Sequence, residues 1–162
     1  MNEANAIYQP AVRKRVWARW LGQVGAPLLL GAGIYALRPV QPWFWAVTGA
    51  GERWGLGFFS RLQALGTSLP DWMLYNLPDA LWLFACLSMI QGVWGFRWGR
   101  EALAWGSLLV IGAMGSEALQ AAGILEGTGD WGDVVGYGGA VVLMYWAFNL
   151  STTRLYAYMF SS

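Results

Sequence analysis

Apolar residues along the chain gather into four long runs: Trp20 to Leu37, Leu77 to Phe96, Ala102 to Leu125 and Trp131 to Leu150. Each run approaches the roughly 20 residues that cover about 30 Å of hydrocarbon at about 1.5 Å per residue. The pattern predicts an all-α fold, a polytopic transmembrane helical bundle of about four spans. The first run is the most interrupted, because Pro27 and several glycines predict a kink there, and Arg19 at its start is placed to snorkel toward headgroups. Residues 38–76 form a long segment between the first two runs that does not read as a water-facing loop. It carries Trp43, Phe44, Trp45, Trp54, Phe58 and Phe59. Between Gly51 and Gly66, Trp54, Phe58, Leu62 and Leu65 recur at helical spacing, with Glu52, Arg53, Ser60 and Gln63 at polar positions. This predicts a short helix lying in the membrane interface, the alternative being a re-entrant segment packed on the bundle. No internal repeat or low-complexity tract divides the chain, so 1–162 reads as one transmembrane domain. Residues 1–15 read as a cytoplasmic tail, and 151–162 as a continuation of the fourth helix.

Composition supports the same class. Of 162 residues 57% are hydrophobic and only 12% charged, against about 25% charged in an ordinary soluble domain, which leaves too few charges to coat a water-facing surface. The 22 glycines and 12 tryptophans fit a membrane protein with an aromatic belt. A net charge of +1 gives no electrostatic reason to bind nucleic acid. The single cysteine, Cys86, cannot form an internal disulfide. The absence of histidine removes the commonest general base and a common metal and haem ligand, so neither a metal nor a cofactor is expected. The basic stretch before the first run reads as a retained anchor rather than a cleaved leader. Seven basic residues (Arg13, Lys14, Arg15, Arg19, Arg97, Arg100, Arg154) fall on one side of the predicted topology, and three (Arg38, Arg53, Arg61) on the other. The positive-inside rule then places both termini in the cytoplasm.

Ionisable groups inside spans are costly, about 2.5–3.5 kcal/mol at a helix centre, so each one asks for a reason. Glu117 lies on the third run with Gln120 one turn on, on the same face; Ser116 is turned away. Asp79 opens the second run in Asn76-Leu77-Pro78-Asp79, where Asn76 is a candidate N-cap and the acid meets the positive end of the helix dipole. Asp130 and Asp133 open the fourth run in the same way, with Thr128 as a candidate cap and Tyr137 four residues beyond Asp133. Gly132, Gly136 and Ala140 form a small-residue stripe suited to close helix approach. All five polar residues Asp79, Glu117, Gln120, Asp130 and Asp133 fall toward the outer leaflet, with Arg38 as the nearest cation and Arg61 as a second. They form either an ion-pair network that fastens helices or a ligand pocket.

Glu117-Ala-Leu-Gln120 followed by Gly129-Asp130-Trp131-Gly132-Asp133 resembles the signature of VanZ-like membrane proteins, in which Glu-x-x-Gln on one span precedes Asp-x-x-Asp at the start of the next. The resemblance covers the second half of the chain, and it implies a small multi-span protein of a bacterial inner membrane. Where that pattern carries an Arg before the acid pair, this loop reads Glu126-Gly127-Thr128-Gly129, and Tyr137 stands where an Asn often follows. No Ser, Cys or Lys is visibly poised as a nucleophile. The favoured expectation is therefore a non-catalytic membrane sensor or scaffold subunit, in contact with lipid and assembling with itself or a protein partner. The alternatives are an outer-leaflet pocket that binds or modifies a polar lipid or envelope precursor, through paired carboxylates or a gathered divalent cation, and a component of an oligomeric channel or transporter.

Overall fold

The computed structural model describes residues 14, 16–39, 56–95 and 99–160, with side chains for all of these except 56–60 and 148–160. Arg13, Arg15, Trp43, Phe44, Trp45, Glu52, Arg53, Trp54 and Arg97 lie outside the described residues, as do the side chains of Phe58, Phe59 and Arg154. Within them the chain is helical and contains no strand. A helical stretch begins at 16, passes through a π-helical turn at Trp20–Gly25 and continues as α1 (Ala26–Ala36). The others are α2 (Leu56–Gly66), α3 (Asp71–Tyr75), α4 (Leu77–Val93), α5 (Arg100–Ala121) and α6 (Trp131–Phe160). Two helical stretches, Asp71–Val93 and Arg100–Ala121, are long and apolar enough to cross a membrane by length and composition.

Local sequence explains where these helices break. Pro27 has no N–H, and its ring crowds the carbonyl four residues back. The backbone widens just before it, and the Ala26 amide donates to the Leu21 carbonyl, five residues away. The irregularity that Pro27 imposes is thus a π turn. The second helical stretch starts earlier than its apolar run. Pro70 is extended, Asp71 sits in the first turn, and the Met73 and Leu74 amides return to the Pro70 carbonyl. Asn76 keeps a right-handed helical conformation, so α3 leads almost directly into α4 across the Asn76-Leu77-Pro78 joint. α5 stops four residues before the end of its apolar run. At its C-terminus the Gly123 amide bonds to the Gln120 carbonyl at 2.9 Å and the Ile124 amide to Leu119 at 2.9 Å. Gly123 takes φ +70°, which a side chain would resist.

Packing centres on α4, which contacts α1, the π turn, α5 and α6. Its glycine contacts fix the direction of its neighbours. Gly31 of α1 faces Trp82 and the Pro78 carbonyl, while Gly92 of α4 faces Trp20, so α1 and α4 run antiparallel. Gly132 and Gly136 of α6 face Asn76 and Ala80, so α4 and α6 run parallel. α5, which joins them in sequence, packs on the outside of this pair, with Leu87 near Gly106. Leu83, Leu87, Ala140 and Met144 form the buried apolar core, flanked by Phe84, Leu109, Val110, Ala113 and Tyr137. The alternation of direction brings the end of α1, the start of α4, the end of α5 and the start of α6 to one end of the bundle. Large apolar side chains cover much of the outside, among them Leu29, Leu108, Ile111, Val135, Val142 and Trp146, which suits a lipid-facing surface.

A Cβ at Gly31 would lie 2.7 Å from the Trp82 ring, whereas one at Gly112 meets nothing within 4 Å. Gly31→Leu is therefore expected to destabilise the bundle by about 1–3 kcal/mol through overpacking, and Gly112→Leu to stay within about 0.5 kcal/mol of the unmodified chain. Unfolding of the two variants in the same detergent checks the contrast.

Candidate functional site

At the end of the bundle where these helices meet, a cleft of about 270 Å³ is lined by Arg38, Asp71, Tyr75, Asn76, Asp79, Thr128, Asp130 and Asp133. Three backbone devices bring these residues together. The α3–α4 joint supplies Tyr75, Asn76 and Asp79 within five residues. The end of α1 supplies Arg38, and the loop into α6 supplies Thr128, Asp130 and Asp133.

Arg38 is anchored from several sides. Its Nε donates to the Leu74 carbonyl at 2.7 Å and its Nη2 to the Tyr75 carbonyl at 2.9 Å. The same Nη2 lies 3.6 Å from Asp79 Oδ2. The guanidinium carbon sits 3.7 Å from the centre of the Tyr35 ring and 5.3 Å from that of Tyr75, both within cation–π range. The carbonyls of Leu74 and Tyr75 need donors because Pro78 has no N–H to offer and the helix is interrupted beside it. Arg38 thus fastens α1 to the α3–α4 joint, with Asp79 as its counter-charge.

Asn76 does the equivalent across α4 and α6. Its Nδ2 donates to Asp130 Oδ2 at 2.9 Å and to Asp133 Oδ1 at 3.0 Å. A Cβ on Gly132 would stand 2.6 Å from that nitrogen, so the glycine leaves the space the carboxamide occupies. The expected role of Asn76 as the N-cap of α4 is not what the structure shows: it makes no side-chain cap bond, because the chain is already helical before it and its carboxamide is drawn to α6. The cap of α6 is Asp130 and not Thr128: Asp130 Oδ1 accepts from the Gly132 amide at 2.8 Å, while Thr128 lines the cleft.

Glu117 is 7% exposed, and its Oε2 accepts from the Asp130 amide at 3.1 Å. It is turned toward the loop and does not line the cleft. Gln120, one turn on, packs its carboxamide against Gly127, so the Glu-x-x-Gln pair braces the α5–α6 connection from below. Ser116 bonds back to the Ala113 carbonyl at 2.7 Å. Tyr137 packs against the apolar core, within electrostatic reach of Asp79, Asp133 and Glu117. Gly136 and Ala140 sit on the α4-facing side of α6, Ala140 in the core itself. Arg61 is exposed on α2 and is not part of the lining. Among the described residues no three His, Cys, Asp or Glu side chains are grouped to hold a metal ion.

The bridging role of Asn76 has one trace in the sequence: an Asn beside an acid-opened helix, at the same bundle end as two further acids. Comparison of the chain with family models, curated proteins and solved structures gives no match.

The Asn76 and Gly132 donors hold the Asp130 carboxyl below the ordinary aspartate range. A carboxyl depressed in the fold adds stability above the unfolded value of about 3.9, and that stability is lost as pH falls through the lower folded value. The unfolding midpoint should therefore decline below about pH 4. Asn76→Leu should weaken that acid-limb dependence and, by leaving Asp133 without this donor, lower stability at neutral pH by about 1–3 kcal/mol. Unfolding followed across pH for both chains checks this.

Proposed function

We propose that the chain is a VanZ-like, four-span protein of a bacterial cytoplasmic membrane, with both termini in the cytoplasm, that acts as a non-catalytic sensor or scaffold subunit. The observation that carries this reading is how the polar residues are used. Arg38, Asn76, Glu117, Asp130 and Asp133 bond to one another or to backbone, so they are engaged in fastening helix ends. A catalytic pair would have one group left to act on a substrate. α2, with Leu65 turned outward, is read as the interfacial helix beside the cleft end.

The assembly half of the reading rests on α5 and α6, whose outer faces carry Leu103, Leu108, Ile111, Val142 and Trp146 exposed. Gly112 and Gly139 lie open on the same two helices, where small residues favour close approach of another membrane helix. Purification in mild detergent followed by intact-complex mass measurement is expected to give a species heavier than one chain, either a homo-oligomer or a complex with a second protein. A strictly monomeric species under every mild condition would sink the scaffold reading.

A second reading is favoured by the cleft itself. It is open, about 270 Å³ in volume, and carries four aspartates against one arginine, which suits a polar, cation-bearing headgroup at the outer leaflet. Substitution separates the two readings. If the cleft acts on a lipid or envelope precursor, Asp79→Asn and Asp133→Asn, both at lining positions, should alter the lipid content of membranes that contain the protein. If the residues only fasten helices, both variants should lower stability and leave lipid content unchanged.

A further inference from the structure

We draw no further inference here: the strongest candidate, the cluster of Asp71, Asp79, Asp130 and Asp133 in the cleft between the α3–α4 joint and the loop into α6, belongs to the site already described, and nothing among the described residues beyond that cluster points to a ligand.

Discussion

The Asn76 carboxamide, shared between Asp130 and Asp133 at 2.9 and 3.0 Å, is the contact on which the polar end of this bundle depends. Two carboxylates three residues apart at the start of one helix repel each other. One nitrogen with two hydrogens answers both. To do so it must approach the α6 backbone at the distance Gly132 permits. That approach fixes the height of α6 against α4, and Gly136 on Ala80 one turn below follows from it. Asp130, once held, caps α6 through the Gly132 amide and offers its own amide to Glu117. The end of α5, the loop and the start of α6 are thereby tied into one chain of hydrogen bonds. Each link positions the next: Asn76 holds the Asp130 carboxylate, and Asp130 in turn places its amide on Glu117.

Arg38 closes the other side in the same manner. The Asn76-Leu77-Pro78 joint leaves carbonyls of Leu74 and Tyr75 that the following turn does not satisfy, and a guanidinium with its fork of donors takes both. The arginine's charge is balanced by Asp79 and spread over two tyrosine rings. Replacing it with lysine would keep a charge and lose the geometry. The proline that interrupts the helix and the arginine that repairs it belong together, although 40 positions separate them in sequence.

Much of this was legible from the residues alone, and the limits are physical. Run length located the helices because a long apolar run satisfies its own backbone bonds most fully as a helix; two of the described helical stretches are long and apolar enough to cross a membrane. The polar residues singled out as unusual, Arg38, Asp79, Glu117, Asp130 and Asp133, do come together at one end, since alternating helix direction sends them there. The boundaries were less legible. Hydrophobicity cannot see Gly123 adopting a positive φ, so α5 was expected to reach Leu125. Roles were least legible of all. Asn76 read as a cap because capping is local, and its true partners are more than 50 residues away. Glu117 read as part of either an ion-pair network or a ligand pocket, because an acid in an apolar run asks for a partner. The donor it found is a backbone amide in the next loop, which no side-chain pattern records.

Glycine and carboxylate positions in this chain answer one problem between them. The described helices are held against one another by close packing at glycines and by hydrogen bonds. At the cleft end the bonds do this, and glycine is used to let a carboxamide through. At the far end of α4 a tryptophan ring packs on Gly92, beside the buried Gln91 and close to the buried Val24 of the π turn. Dispersion between the ring and the glycine backbone is small per atom and adds up over the whole indole face. Glycine thus serves both ends of the α4 interface: Gly132 admits a carboxamide, and Gly92 seats an indole ring.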